Sequence, residues 1–314
     1  MIKGTINRIP TKDMDRPEWL EERRKRIGGS DASTIVGLNP YGSLYALWAD
    51  KMGALPPKED TEAMRLGRDL EDYVARRFTE ATGKRVRREN AILINSLHPY
   101  AHANVDRVVI GEKAILECKT TSVLNLKKFK NTEFPEHYYA QCLHYLMVTE
   151  VERIYLAVLI LGKEFRWYVL ERDEEEIALL AEAERRFYDD HIKTGTPPPV
   201  DGAIATTDAL TAVYGETDAE ADLSALDGVL EAYEGISEQI RALEKQKDEL
   251  ANRVKQTMAE AQRGESITFR VSWASSERRT FDAKKFAAAH RSIDLAPYYK
   301  TSTSRTFRVT RKEA

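Results

Sequence analysis

Two pairs of short extended segments, separated by a helical one, constrain the fold of this chain more than any other feature. Each pair flanks a glycine that fits a tight turn: residues 103–110 and 114–119 around Gly111-Glu112, then 154–161 and 165–171 around Gly162-Lys163. Pro135 opens the helical stretch between them, at about residues 136–149. We therefore predict a mixed α/β core in which two hairpins contribute to one central sheet.

Further helices are predicted on both sides of these hairpins. They cover residues 18–26, 30–37, 44–52, 61–82 and 173–193. Ser30 or Asp31 is expected to cap the second of them and Ser43 the third, while Gly83 ends the fourth. The expected fold class is α/β (α+β), with a central mixed sheet flanked by helices.

The chain beyond residue 200 is expected to form separate elements. Residues 1–200 hold the core domain, 201–223 form a polar linker, 224–264 a long amphipathic helix that Gly264 ends, and 265–314 a small basic extension of strand and helix. One face of the long helix carries apolar side chains interrupted by Lys247: Leu226, Leu230, Tyr233, Ile236, Ile240, Leu243, Leu250 and Val254. This pattern fits a coiled coil with a partner or second subunit, and equally a helix packed on its own domain.

Charge and composition exclude several classes of protein. The net charge is only −3, but residues 201–265 carry 15 acidic and 6 basic residues, and residues 266–314 carry 4 acidic and 11 basic. The basic end suits an anionic partner or plain solvation.

The longest apolar run, residues 154–161, is too short for a membrane span, and the N-terminus lacks the apolar segment of a secretion signal. Cys118 and Cys142 are too few for a disulfide framework or a cysteine-ligated cluster. We expect a cytoplasmic protein.

The residues with the clearest chemistry are Asp106, Glu117 and Lys119. Because side chains alternate along a strand, Glu117 and Lys119 share one face, and Asp106 in the preceding strand can reach the same site. Two carboxylates and a lysine suit metal-dependent phosphodiester hydrolysis. The spacing alone is weakly specific, since a solvated ion pair would also produce it. Both charges, however, end an apolar run, where unpaired burial is costly.

Two helical residues are further candidates. Glu71 lies beside the apolar face of the predicted helix 61–82, where it could contribute to the site or simply pair with Arg68. Gln141, in the helix 136–149, could order a water or phosphate or cap a strand edge. The residues alone leave both alternatives open.

Seven segments in a fixed order resemble the YqaJ-type viral recombinases, relatives of the phage lambda exonuclease. They are RIGGSDAS (26–33), GLNPY (37–41), LYALW (44–48), LGRDLE (66–71), NVD (104–106), LECKTTS (116–122) and YYAQCLHY (138–145). The similarity covers roughly residues 20–190, and it depends on the ordered series more than on any single motif.

The resemblance implies a restriction-endonuclease-like nuclease domain in residues 1–200. It also implies a Mg²⁺-dependent exonuclease that degrades the 5′-ended strand of linear double-stranded DNA from 5′ to 3′. Two Mg²⁺ ions are implied, with Mn²⁺ as a substitute. The 3′ overhang would pass to a single-strand annealing protein (RecT/Bet-like) in phage-type recombination. A homo-oligomer, by resemblance a trimeric ring, and a phage or prophage origin in a bacterial host complete the expectation.

By position, the resemblance assigns roles to individual residues. The metal ligands would be Glu71, Asp106, Glu117 and the backbone carbonyl of Cys118. Lys119 would position the attacking water, and Gln141 would complete the catalytic set.

A second set would bind the 5′-terminal phosphate. Arg26 and Ser33 match this part of the family's pattern, while Asn104 replaces a phosphate-contacting serine and Ser96 replaces an additional acid. Arginine and a hydroxyl near a helix start are suitable phosphate donors. An endonuclease on the same core is the enzymatic alternative, and a noncatalytic DNA-binding or partner-binding protein is the alternative from another class.

Overall fold

The computed structural model describes residues 4–57, 60–130, 133–290, 293–301 and 305–312. The chain divides into two compact units, residues 1–216 and 217–314. The strands of the first unit are β1 (Ile6–Pro10), β2 (Val86–Arg88), β3 (Ala91–Asn95), β4 (Arg107–Val109), β5 (Ala114–Thr121), β6 (Arg153–Ile160) and β7 (Glu164–Glu171). Its α-helices are α1 (Arg16–Arg24), α2 (Gly29–Ile35), α3 (Leu44–Lys51), α4 (Glu62–Thr82), α5 (Glu136–Thr149), α6 (Glu174–Phe187) and α7 (Ile204–Val213).

A central sheet of five strands organises the first unit, in the order β2-β4-β5-β6-β7. All neighbouring strands are antiparallel except β5 and β6, which run parallel because α5 connects them. Gly111 (φ 87°) and Gly162 (φ 70°) occupy the left-handed region at the two predicted turns. The predicted mixed α/β fold, a central mixed sheet flanked by helices, is confirmed.

The alternation of β5 divides its side chains between two hydrophobic clusters. Ile115 belongs to the larger cluster, to which α5 contributes Leu146, whereas Leu116 packs in the smaller one with Phe78 of α4. Cys118 lies against that smaller cluster. The odd-numbered residues of β5 therefore face α5, and the even-numbered ones face α4.

Several element ends differ from the sequence prediction. Asp106 directly precedes β4 and is not inside a strand, because only Arg107–Val109 pair with β2. Gly28 is the N-cap residue of α2, and its backbone N–H donates to the Asp31 carboxylate at 2.8 Å. The predicted caps, Ser30 and Asp31, therefore lie inside the helix. The caps predicted at Ser43 and Gly83 are confirmed.

A pair of strands and one helix of the first unit had no clear counterpart in the sequence pattern. Strands β1 and β3 form a separate antiparallel pair, with Ile6 opposite Asn95. Helix α7 lies in the segment predicted to be a linker. Its Thr206 and Ala209 are buried, and the Asp201 side chain accepts hydrogen bonds from Thr206 and from the Ala203 N–H. The polar, alanine-rich composition concealed this helix because its buried face consists of small side chains.

The second unit contains α8 (Asp227–Met258), β8 (Arg263–Glu265), β9 (Arg270–Ser272) and α9 (Ala283–Ala289). Helix α8 ends at Met258, before the predicted stop at Gly264, which instead lies in β8. Asp282 caps α9 and accepts the Lys285 N–H at 2.9 Å. Across the described ranges, no helix combines the length and apolarity needed to cross a membrane.

Candidate active site

A cavity of about 540 Å³ in the first unit collects the predicted catalytic side chains. Glu71 lines the cavity from α4, and Glu117 and Lys119 line it from β5. Asp106 lines it from the position directly before β4. These four residues are separated by up to 48 positions in the sequence. The order of strands and helices therefore places two sequence-distant acids beside the acid and lysine of β5.

Glu117 forms the centre of this cluster. Its side chain is almost fully buried, and Oε1 accepts hydrogen bonds from Lys119 Nζ at 2.6 Å and from Gln141 Nε2 at 2.8 Å. Both donors come from the α5 side of β5, as the strand alternation requires. Among the described residues, Glu117 Oε2 has no hydrogen-bond partner although it is buried. An unsatisfied buried carboxylate oxygen is costly without a proton or a cation.

Lys119 is a buried cation held between an acid and an aromatic ring. Its Nζ lies 5.2 Å from the centroid of the Tyr138 ring. Burial alone would lower the pKa of Lys119, but the negative charges of Glu117 and Asp106 raise that pKa above its usual value. The ammonium form is therefore the stable one at neutral pH.

Asp106 connects the two strands of the first hairpin at the site. Its Oδ2 accepts the backbone N–H of Cys118 at 2.7 Å, which fixes the carboxylate against β5. Burial and the nearby charges of Glu117 and Glu71 raise the pKa of Asp106 well above its usual value. The cluster thus has more negative charge than its own donors neutralise.

Arg107 is a site residue that the sequence pattern did not reveal. Its buried guanidinium donates to the Glu71 carboxylate, to Asp72 Oδ1 at 2.6 Å and to the Asp106 carbonyl at 2.7 Å. These contacts orient Glu71 toward the hairpin. The sequence gives only one indication of this role, an arginine within the apolar run of a short strand. The acids that pair with Arg107 are about 35 residues away in the sequence.

The described residues contain no group of three or more His, Cys, Asp and Glu side chains already arranged to hold a metal ion. Glu71 is bonded to Arg107, and Asp106 accepts the Cys118 N–H. The chemistry of the donors nevertheless suits a hard cation, because all are oxygens and Glu117 Oε2 has no partner. The charge repulsion that raises the pKa of Asp106 is also what a cation would relieve.

Basic side chains surround the acidic centre. Those that line the same cavity are Arg16, Arg23, Arg24, Lys51 and Arg68. Lys51 is fixed by Asp31 at 2.6 Å and by the backbone carbonyl of Arg26 at 2.8 Å. The sequence pattern does not single out these five residues, because arginines and lysines are equally common on the exposed faces of ordinary helices. These five side chains are here called the basic wall, although Asp31 pairs with Lys51 and Asp60 pairs with Arg68.

The residues assigned to the 5′-phosphate lie elsewhere. Arg26 Nε donates to the Pro99 carbonyl at 3.2 Å, and the buried Ser33 hydroxyl donates to the Ser30 carbonyl at 3.3 Å. Asn104 is half-buried in the segment before β4. None of Arg26, Ser33 and Asn104 belongs to the described residues that line the cavity. Ser96 accepts the Thr5 N–H at 2.8 Å.

Helix α2 approaches α5 so closely that Gly29 is required at the contact. A Cβ atom on Gly29 would lie 2.5 Å from Tyr145 Cε1 and 3.1 Å from Gln141 Cγ. Gln141 Nε2 also donates to the Tyr145 hydroxyl at 3.0 Å. The packing of α2 therefore supports the amide that holds Glu117 in place.

The structural comparisons identify two solved nucleases with a low overall similarity. An alkaline exonuclease from Laribacter hongkongensis is 17% identical, with a TM-score of 0.48, and covers 57% of this chain and 93% of its own. A phage-related exonuclease from Haemophilus somnus 129PT is 11% identical, with a TM-score of 0.43, and covers 57% of this chain and 100% of its own.

The sequence comparisons cover more of the chain. Residues 18–152 match the family described as the YqaJ-like viral recombinase domain. The YqaJ protein of Bacillus subtilis (strain 168) is 43% identical over 279 residues, which are 87% of this chain and 88% of that protein. This identity extends well beyond the matched domain, into the second unit. The chain therefore belongs to the YqaJ-like viral recombinase family.

Proposed function

We propose that this protein is a Mg²⁺-dependent exonuclease that degrades the 5′-ended strand of linear double-stranded DNA and leaves 3′ overhangs for recombination. The observation that carries the proposal is one cavity in which Glu71, Asp106, Glu117 and Lys119 lie beside a basic wall. Acidic oxygens suit a metal, and basic groups suit the DNA phosphates on either side of the scissile bond. Membership in a viral recombinase family supports DNA as the substrate.

The carboxylates of Glu71, Asp106 and Glu117 would hold the metal, with the Cys118 carbonyl as a further ligand. Glu117 has a free oxygen for this purpose, and Asp106 is held toward the site by the Cys118 N–H. When bound, Mg²⁺ supplies Lewis-acid charge at the water and at the phosphate.

Lys119 and Gln141 would organise the reacting groups. Lys119 donates to Glu117 and, as an ammonium, has further N–H donors for a water or a phosphate oxygen. Gln141 keeps Glu117 in position by donating to the same oxygen from α5. Lys119 and Gln141 would thus hold the Glu117 carboxylate and the attacking water in the orientation that the reaction needs.

DNA binding would use the basic wall formed by Arg16, Arg23, Arg24, Lys51 and Arg68. Phosphate contacts of this kind position a duplex without reading its sequence. Arg26 and Ser33 remain our proposal for the 5′-terminal phosphate, and Asn104 for a neighbouring one. Arg26 Nε donates to the Pro99 carbonyl, and the two Nη groups of the same guanidinium would bind the phosphate. A single-strand annealing protein and a ring-shaped homo-oligomer are proposed on the family resemblance.

The test compares linear duplex DNA that carries a 5′-phosphate at one end with a covalently closed circle, each with and without Mg²⁺. Loss of the phosphorylated strand, with the circle intact, is expected only when Mg²⁺ is present. Nicked or linearised circles would show an endonuclease instead. If neither substrate is cleaved, the catalytic proposal is wrong.

Lys119→Ala should abolish cleavage and leave DNA affinity nearly unchanged, because the five residues of the basic wall would still bind the duplex. Lys113→Ala is the matched control, since Lys113 is an exposed lysine of the same hairpin that pairs with Glu152. Equal losses of binding and cleavage in Lys119→Ala would contradict the role given to this residue.

A further inference from the structure

We propose that a second cavity of the first unit binds the base of the 5′-terminal nucleotide of the DNA strand that is degraded. The inference rests on the proposed nuclease function and extends it to a part of the substrate that the acidic cluster and the basic wall do not bind. The cavity, here called the base pocket, lies between α2, α3 and α7 and has a volume of about 570 Å³. This volume is typical of sites for small organic ligands.

The base pocket adjoins the cavity that holds the acidic cluster. Four residues line both cavities: Ser30 and Asp31 of α2, Asp50 of α3, and Pro57. Because these residues form a common border, one ligand can have its phosphate at the acidic cluster and another of its groups in the base pocket. This continuity favours a part of the nuclease substrate over an unrelated molecule as the occupant.

The two adjoining cavities differ in charge. Among the described residues that line the base pocket, none is a lysine, arginine or histidine, whereas Asp31, Asp50 and Asp208 are carboxylates. A phosphate would be repelled here, so the occupant is a neutral group, preferably one with N–H donors for the carboxylates. A nucleotide has the same division of charge, because its phosphate is anionic while its base is neutral and carries at least one N–H donor.

Tyr41 provides an aromatic surface in the base pocket. Its side chain is 75% exposed, and it lines the pocket from the loop between α2 and α3. The Tyr41 backbone N–H donates to Asn39 Oδ1 at 3.0 Å, and Asn39 Nδ2 donates to Thr34 Oγ1 at 2.9 Å, so the loop is tied to α2. Bases of any sequence stack on such a ring, which suits an enzyme that degrades DNA of any sequence.

Tyr41 is also close to the surroundings of the catalytic lysine. Burial is the main cause of the raised pKa of Tyr138, and Tyr41 lies near enough to Tyr138 to contribute to it. The Tyr138 ring in turn lies 5.2 Å from Lys119 Nζ. The stacking surface therefore belongs to the neighbourhood of the reacting groups.

The position of α2 selects the terminal nucleotide. Ser33, which we propose for the 5′-terminal phosphate, lies one turn after Ser30, and its hydroxyl donates to the Ser30 carbonyl at 3.3 Å. Ser30 borders both cavities. The nucleotide between the 5′-phosphate and the scissile bond is the terminal one, so its base is the base nearest to α2.

Helix α7 keeps the base pocket open by its small side chains. Ala205, Asp208, Ala209 and Ala212 line the pocket at steps of three, one and three residues, which places them on one face of α7. Alanine side chains leave the space between α7 and α3 free. A large side chain on this face would occupy the volume that the base needs.

The test compares two linear duplexes that carry the same 5′-phosphate. In one, the 5′-terminal nucleotide is normal, and in the other a tetrahydrofuran abasic analogue replaces it. Because stacking on an aromatic side chain strengthens binding of a base about ten-fold or more, kcat/KM for removal of the terminal nucleotide should be roughly ten-fold lower for the abasic duplex. The ratio of the two kcat/KM values is here called the base ratio.

Filling the base pocket should abolish the base ratio. Ala212→Trp introduces a large ring from an exposed position of α7, and it should slow removal of the normal nucleotide until the base ratio is about one. Thr207→Trp is the matched control, because Thr207 is exposed on the opposite face of the same helix and should keep the wild-type base ratio. Fraying of the abasic end is the same for every protein, so the change in the ratio reports the contact with the pocket.

A second pair of variants tests stacking without filling the base pocket. Tyr41→Ala should reduce the base ratio several-fold, whereas Tyr41→Phe, which keeps the ring, should retain it. Thermal melts would show that each variant is folded.

Two results would overturn the proposal alone. Equal kcat/KM values for the two duplexes with the wild-type chain would show that the terminal base is not bound. A wild-type base ratio in folded Ala212→Trp or Tyr41→Ala would place the base elsewhere and leave the base pocket to another occupant, such as a segment of a second protein. If the wild-type chain cleaves neither duplex, the nuclease function itself is wrong, and the base pocket with it.

Discussion

Replacing Gly29 by alanine tests whether the contact between α2 and α5 holds the acidic cluster in place. The added Cβ would lie 2.5 Å from Tyr145 Cε1 and 2.8 Å from Tyr145 Cζ. Real Cβ atoms do not approach this closely, so the ring, the helix or both must move. The Tyr145 ring is buried and bonded to Gln141, which leaves it little room.

The expected cost follows from the overlap. Forcing one extra carbon into a packed core costs about 1–3 kcal/mol. Alanine's better helix propensity offsets at most about 1 kcal/mol, and less in a first turn. For a unit of this size each kcal/mol corresponds to roughly 2–4 °C in melting temperature. We expect a clear decrease in Tm, together with slower cleavage because Gln141 and Glu117 are displaced.

Gly67→Ala is the matched control. Gly67 lies inside α4 and lines the same cavity. Among the described residues, its added Cβ would meet only Thr120 Oγ1, at 3.7 Å. Alanine in a helix interior should then stabilise the chain by about 0.5–1 kcal/mol. Thermal melts and cleavage rates of both variants are the assay. An unchanged or higher Tm for Gly29→Ala would refute the close-packing argument.

Three further predictions concern charged groups. Arg107→Met should destabilise the chain by about 1–3 kcal/mol in urea denaturation, since it leaves Glu71 without its buried donor. Burial lowers the pKa of His144, but Glu184, bonded to it at 2.7 Å, raises that pKa overall. The stabilisation that protonated His144 gains from Glu184 is therefore fully present below about pH 6.5. It is lost as the pH rises through the folded-state pKa of His144. The difference in unfolding free energy between wild type and Glu184→Gln should therefore shrink on raising the pH; a constant difference would contradict this. Asp106→Asn should abolish cleavage yet raise Tm without Mg²⁺, because ionised Asp106 is disfavoured by burial and by neighbouring acids. It should also remove any rise in Tm on adding Mg²⁺, as measured by thermal melts.

The parts of the fold that depend on local chemistry were predictable from the sequence. Gly111 and Gly162 mark the two hairpin turns because few other residues adopt their positive φ. Helix α5 was predicted with its observed bounds. In contrast, β1 pairs with β3, more than 80 residues away, and nothing in the short segment Ile6–Pro10 specifies that partner.

The same division applies to the candidate site. Glu117 and Lys119 share a face because strand alternation is local, and the structure brings Asp106, Glu71 and Gln141 to them. Arg107 could not be predicted, because its role depends on partners supplied by α4. The catalytic and metal-binding roles of the cluster remain predictions for the experiments above.

The parallel pairing of β5 and β6 makes the segment that holds Glu117, Lys119 and Gln141 a single folding unit. A parallel pair cannot close until the intervening crossover is in place, so β5, α5 and β6 must assemble together. Glu117, Lys119 and Gln141 all lie within residues 114–160 of this unit. Their amides should therefore exchange with solvent in one cooperative event, and partial unfolding of the N-terminal strand β1 should leave these three residues in register.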